Sequence, residues 1–389
     1  MTAAEKTTRH PSPEVRSYAT RHVAVHAAEL ETPAIRDIER AAVELPINGN
    51  TPDVRQSVLN KARTDPASSV STTTAPSIPA RPGTNSATSS SNSKLQFGKT
   101  IGTIPYMSNI LVTGCSSGIG FATALELARA GHHVFATMRH PERAPQLAHT
   151  AASEKLSIKI LPLDVDSDES VNACFQSIAE PIDVLVNNAG IEVHGSVEEL
   201  PLSSMIAVMN TNCFGAVRCI KAVLPQMRER QSGCIVNVSS IAGRIANSPL
   251  GAYSASKFAL EAFCEALAGE VKPFNIRVAL IEPGVQDTRM ARDISTGPKS
   301  IYPQVERFSA FFRAVLADPV SPDASATAIR HVIESGTWQL RHLPGPNAAP
   351  FVGWRASMTD EEWVDWNALG DDDWYEAVQR DFGLDARRS

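Results

Sequence analysis

A short apolar run at residues 110–113 is followed at once by Gly114-Cys-Ser-Ser-Gly118-Ile-Gly120, then by a helical apolar pattern that stops at Gly131. No other stretch limits the possible folds as strongly. Glycines between a strand and a helix allow a tight turn, bring backbone N–H groups close to a phosphate and aim a helix N-terminus at it. The alternation then repeats. Apolar β-type runs at 134–137, 158–163, 182–186, 234–239 and 278–282 are separated by helical stretches at 168–179, at 203–229 and from Tyr253 to Pro273. Near-continuous apolar strands alternating with helices predict an α/β chain with a doubly wound parallel sheet.

The loop between the strand at 234–239 and the helix opening at Tyr253 contains Gly243, Pro249 and Gly251. Lys257 follows Tyr253 by four residues, so both side chains project from one helical face. A phenol with a pKa of about 10 is a poor acid-base catalyst at neutrality. A cation ~4 Å away, at an effective dielectric of about 20, favours the phenolate by about 4 kcal/mol, which lowers the phenol by roughly three pH units. Tyr253 then suits proton exchange with an alcohol or carbonyl oxygen, and Ser240, at the end of the preceding strand, suits holding that oxygen.

Composition narrows the partners. With 43% hydrophobic and 20% charged residues the chain can bury a full core, and no run reaches the length of a membrane span. A net charge of -6 without a basic stripe argues against nucleic acid. The six cysteines form no Cys-x-x-Cys pair, and the ten histidines form no zinc-type pair. The expectation is a soluble, cytoplasmic protein with reduced core thiols and no metal.

These motifs together resemble the short-chain dehydrogenase/reductase family. Thr113-Gly114-x3-Gly118-Ile119-Gly120 has the spacing of its common branch, and Ser240 with Tyr253-x3-Lys257 its catalytic pattern. The run Thr113–Gly120, the Ala136-Thr-Met-Arg139 end of the second strand and Tyr253-Ser-Ala-Ser-Lys257 together look most like the hydroxysteroid and retinol dehydrogenase group. The resemblance implies a Rossmann-type catalytic domain over residues 107–345 that binds NAD(P) through Gly114, Ser116, Ser117, Gly118, Ile119 and Gly120. Asp164 and Val165 would contact adenine, and Asn188-Ala189-Gly190 matches the family's Asn-Asn-Ala-Gly. In Pro283-Gly284-x3-Thr288, the Thr288 hydroxyl and the backbone near Val285 would hold the nicotinamide carboxamide. Asn212, in Asn212-x2-Gly215, would position a water that relays protons to Lys257, and Lys257 would also bind ribose.

The second strand ends in Met138-Arg139, with no acid to take a ribose hydroxyl. An arginine there can meet an adenosine 2′-phosphate, which favours NADP and leaves NAD possible. The implied reaction interconverts an alcohol and a carbonyl, with a lipophilic, steroid- or retinoid-like substrate suggested by the apolar residues between Met290 and Pro319. A reductase of small aldehydes and ketones and a catalytically silent binding protein are the alternatives. The family also implies a homodimer or homotetramer paired through the helices that carry Asn212 and Tyr253.

Two extensions flank this domain. Residues 1–106 include a tract from Thr64 to Lys94 without Leu, Phe, Tyr or Trp, which predicts disorder, preceded by one short helix between Pro33 and Leu45. This segment reads as an upstream extension, with Met107 a natural start, or as a regulatory tail. A helix at about 325–334 and a strand near 338–341 are expected to complete the sheet. Residues 346–389 hold four of the five tryptophans. There Thr359-Asp-Glu-Glu362 has the form of a capping box, and Asp371–Asp373 could open another helix. Such a tail covers the enzyme's own surface, a partner subunit or the substrate mouth.

Overall fold

Ile110, Leu111 and Val112 are all fully buried, as are Val184, Leu185 and Val186, because these strands are covered on both faces. The computed structural model describes residues 107–387. The expectations of disorder and of a short helix within 1–106 lie outside the described residues. Seven strands form one parallel sheet: β1 (Asn109–Thr113), β2 (His133–Met138), β3 (Ile158–Pro162), β4 (Val184–Asn187), β5 (Gly233–Val238), β6 (Ile276–Ile281) and β7 (Arg341–His342). Their order is β3-β2-β1-β4-β5-β6-β7. The chain therefore reverses its direction of travel across the sheet between β1 and β4, which opens a crevice at the strands' C-terminal ends.

Successive strand residues face opposite layers. Ile110, Val112, Val134 and Ala136 pack under α1 (Gly118–Arg129) and, through Ile329, Val332 and Ile333, under a later helix at Asp323–Ser335. Leu111, Phe135, Leu185, Ile235 and Leu280 face the other layer. Between these lie α2 (Pro145–Glu154), α3 (Asp168–Gln176), α4 (Leu202–Met209), α5 (Ala216–Glu229) and α6 (Gly251–Val271). Cys219, Ile220 and Val223 of α5 and Leu260 and Cys264 of α6 fill the second layer.

The stretch expected as one helix over 203–229 is divided by a π-helical turn at Asn210–Gly215. Within that turn Gly215 passes so close to α3's approach that an added Cβ would sit 2.8 Å from Val165 Cγ2. The last strand is shorter and later than the sequence suggests, two residues at Arg341–His342, since only there does the chain pair with Leu280 and Ile281.

Beyond β6 come α7 (Arg289–Ile294), α8 (Pro303–Val315) and α9 (Asp323–Ser335), then α10 (Ala348–Ala356), α11 (Asp360–Ala368) and α12 (Asp371–Phe382). The sequence offers little sign of α10 because Pro350 stands inside it. The proline lies in the first turn, where its missing N–H has no intrahelical partner to lose. Thr359 and Glu362 form a reciprocal capping box at the start of α11, with Thr359 N donating to Glu362 Oε2 at 2.8 Å. Asp371, Asp372 and Asp373 occupy the positive end of α12.

Candidate active site

The turn after β1 is braced by the end of β4. Thr113 Oγ1 accepts from the backbone N–H groups of Asn188 and Ala189, each at 2.9 Å. Asn188 Nδ2 donates in return to the carbonyls of Thr113 and Gly114. This contact leaves no room for a side chain at Gly114, whose φ is +74° and whose added Cβ would lie 2.7 Å from Ala189 Cα. Gly120 is packed even more tightly, where a Cβ would overlap Asn188 Nδ2 and the Gly114 carbonyl. Helix α1 starts at Gly118 and Ser117 gives it no side-chain cap, so its first N–H groups stay available to an anion. This cradle fits a dinucleotide pyrophosphate.

Most of the sequence-predicted residues share one cavity of about 350 Å³ with this cradle. Ser116, Ser117, Gly118 and Ile119 line it at one side, as do Arg139, Asp164, Val165 and the Asn188–Gly190 turn. Arg139 is exposed and no ion pair or hydrogen bond among the described residues engages its side chain. It is free to meet a phosphate. Asp164 is fixed at the end of β3, where its carboxylate accepts from Asp166 N at 3.1 Å and its own N–H donates to Ser170 Oγ. Pro283, Gly284, Val285 and Thr288 also line the cavity, and a Cβ added to Gly118 would lie 3.3 Å from Thr288 Cγ2. Asn347 Nδ2 donates to Val285 O at 3.0 Å, and Thr288 Oγ1 caps α7 by accepting from Ala291 N.

Between this cradle and the aromatic residues described below, Ser240 follows β5 and its hydroxyl accepts from Ala242 N at 3.1 Å. Tyr253 and Lys257 lie on the first turns of α6, both buried. Lys257 Nζ donates to Val238 O at 2.9 Å and stands 5.7 Å from the Tyr253 ring centroid. Gly120 and Asn212 are the two predicted residues that do not line the cavity. Asn212 sits one layer behind, on the π-helical turn. It donates to Ile191 O at 2.9 Å and Ser256 Oγ at 3.0 Å, and accepts from Ile191 N.

The protonation states differ from the sequence expectation. Burial pushes the Tyr253 phenol well above its usual value, a hydrogen bond with Ser240 works against the rise, and the Glu192 carboxylate adds to it. Burial also lowers Lys257 to about 8, opposed by Glu261 one turn further along α6. In the chain alone, removal of both groups from water outweighs the attraction between phenolate and ammonium that their spacing suggests.

The far part of the cavity was not legible from motifs. Its wall carries Phe308, Phe311 and Phe312 of α8 and, from the last three helices, Phe351, Trp354, Trp366, Trp374 and Phe382. Trp354 meets Phe382 edge-on at 4.7 Å and Trp366 at 5.0 Å. The three helices are tied down by polar contacts: Arg307 of α8 donates to Asp371 Oδ1 and Leu369 O, each at 2.6 Å, and Trp363 Nε1 donates to Ala246 O. Glu192, just past the Asn188–Gly190 turn, also faces the cavity. An acidic residue in an apolar loop was the one available signal for it. Among the described residues no group of three or more His, Cys, Asp or Glu side chains could hold a metal ion, and no helix is long and apolar enough to cross a membrane.

Residues 108–299 match the family model for short chain dehydrogenase. Human retinol dehydrogenase 8 is 47% identical over 180 residues, 45% of this chain, and the match spans only 58% of that relative's length. A short-chain dehydrogenase of Streptomyces avermitilis superposes with a TM-score of 0.58 at 32% identity, covering 67% of this chain and 96% of that one. A variant of actinorhodin polyketide ketoreductase with NADPH gives 0.55 at 30% identity, over 62% and 98% of the two chains. With a seven-stranded parallel sheet, a glycine turn braced by Asn188, and Ser240, Tyr253 and Lys257 lining the shared cavity, the chain belongs to the short-chain dehydrogenase/reductase family.

Proposed function

We propose that the protein is an NADP-dependent oxidoreductase that interconverts an alcohol and a carbonyl on a lipophilic, steroid- or retinoid-like substrate. The observation that carries this is the continuity of one cavity from Arg139 and the Gly114–Ile119 cradle, past Ser240 and Tyr253, to the aromatic wall of α8 and α10–α12. A bound nicotinamide dinucleotide supplies or takes up the hydride at its C4 position. The guanidinium of Arg139, unpaired among the described residues, with Ser117 lining the same cavity, supports a 2′-phosphate and hence NADP over NAD. Ser240 holds the substrate oxygen and the neutral Tyr253 gives it a proton during reduction. Asn212, held to Ile191 O and to Ser256 Oγ, whose residue neighbours Lys257 in sequence, orders the route by which that proton is restored.

The tail at 346–389 acts in this reading as a cap over the substrate, because its five aromatic rings, with the three of α8, leave an apolar enclosure suited to a bulky molecule. Exposed Leu202, Ile206, Phe214, Phe258 and Phe263 on the long helices support a homodimer or homotetramer. Six free, buried thiols support a reducing, cytoplasmic setting. The test is a turnover panel of steroid, retinoid and small carbonyls with NADPH and NADH, run on the parent and on Tyr253→Phe. Loss of the phenolic proton is expected to cost about a hundredfold to ten-thousandfold in turnover, with NADPH binding retained. A Tyr253→Phe enzyme of near-parental rate, or a parent that prefers small carbonyls, contradicts the proposal.

A further inference from the structure

Glu192 places a carboxylate in the wall of this cavity, close enough to Tyr253 for its charge to act on the phenol. Its side chain is 8% exposed and Oε1 lies 2.9 Å from His194 Nδ1, the one ion-pair partner it has among the described residues. No arginine or lysine neutralises it. The other charged groups that line the cavity have partners of their own or belong to the cofactor residues: Arg307 is taken by Asp371 and Leu369, Lys257 donates to Val238 O, Arg289 pairs with Asp293, Asp166 accepts from Thr211, and Arg139 and Asp164 are among the residues assigned to the cofactor. Leu250, Val285, Ile294, Phe308 and Phe312 make up the surroundings. The Glu192 charge is felt at Tyr253, where it opposes ionisation of the phenol.

A carboxylate in such a place is costly unless hydrogen bonded or paired, and one histidine contact satisfies it only in part. A ligand that brings a hydroxyl or an ammonium group restores what burial removed, whereas a ligand that brings a second carboxylate meets like-charge repulsion. We infer that Glu192, backed by His194, is a specificity-determining carboxylate: the substrate is an amphiphile with a hydrogen-bond donor, hydroxyl or ammonium, near its reacting carbon and an apolar remainder under the aromatic cap. This deepens the substrate class of the proposed site and rests on that reading for the chemistry, though not for the binding preference itself.

The preference can be read without turnover, because all five tryptophans lie after residue 337 and three of them line the cavity. Quenching of tryptophan fluorescence on the NADPH-bound, full-length protein would be titrated with three long-chain ligands of equal length: a vicinal amino alcohol, a plain secondary alcohol and an alpha-hydroxy acid. The expected order is amino alcohol tightest and hydroxy acid weakest, with at least about a tenfold gap between those two, equivalent to about 1.4 kcal/mol. In Glu192→Gln the gap collapses to about twofold or less, and in Glu192→Asp, which keeps the charge, the order survives. Equal affinities in the parent, or a gap that Glu192→Gln leaves intact, overturn the inference. If Glu192→Gln does not fold, as judged by NADPH binding, the parent order and Glu192→Asp still decide. A correct binding order with no turnover of any carbonyl supports the inference and counts against the proposed reaction instead.

Discussion

Replacing Glu282 by glutamine removes a carboxylate that is fully buried at the end of β6, immediately before the Pro283–Gly284 wall of the cavity. Two arginines approach its Oε1, Arg341 at 3.3 Å and Arg244 at 3.6 Å. Burial, reinforced by the charge of Glu261, nevertheless raises this carboxyl from its usual 4.5 to about 7, and the arginines recover only part of the rise. The folded chain thus holds this proton more tightly than the unfolded chain does. Below about pH 4.5 the group is protonated in both states and has no effect. Between 4.5 and 7 the unfolded chain ionises first, so stability falls as pH rises, and above about 7 the loss is complete. The gap corresponds to on the order of 3 kcal/mol. Glutamine resembles the protonated form at every pH. Relative to the parent, Glu282→Gln is therefore expected to gain on the order of 3 kcal/mol between pH 5 and pH 8, or about 6 °C in Tm for a domain of this size. Thermal unfolding followed by circular dichroism in matched buffers at the two pH values measures that double difference. If the variant's Tm offset is the same at both, or falls from pH 5 to pH 8, the two arginines outweigh burial and the reasoning fails.

Arg139→Asp is expected to weaken NADPH binding by about tenfold or more while leaving NADH binding level or improved, since a charge-assisted phosphate contact is lost and a ribose partner gained. Equal NADPH affinity in parent and variant removes Arg139 from the cofactor site. Trp366→Ala is expected to raise KM for bulky carbonyls several-fold and to leave kcat and NADPH affinity near parental values, as loss of uniform substrate binding does. A changed oligomer with unchanged KM would assign that wall to subunit contact. Arg307→Met leaves Asp371 and the Leu369 carbonyl without their donor, and a Tm drop corresponding to about 2 kcal/mol or more is the expected result. An unaltered Tm would show that the last helices are held by their aromatic packing alone.

Much of the site could be read from local pattern because its chemistry is written at short range. Gly114, Gly118 and Gly120 are needed by one turn, and Tyr253 and Lys257 by one helical face, so each group carries its own spacing. The strand runs were equally legible, since burial on both faces makes them apolar at every position. Pro350 hid α10 because a proline inside a helix and a proline in its first turn look alike in sequence. The length and place of β7 depended on pairing with Leu280 and Ile281, about 60 residues away in the chain.

The sequence by itself determined the parallel α/β architecture, which follows from periodicity, and it pointed to the glycine turn and to Ser240, Tyr253 and Lys257 as a group, which the structure brings to one cavity. Only the tertiary structure decided the rest. It brought Trp354, Trp366 and Trp374 to the same cavity as Tyr253 from more than 100 residues away, and it set Glu192 against the reacting end. It also added burial to the forces that act on Tyr253 and Lys257. Helical spacing specifies that the two side chains are neighbours, but the water removed from around them depends on α4, α6 and the aromatic wall closing together, and at that depth desolvation exceeds the pairwise attraction.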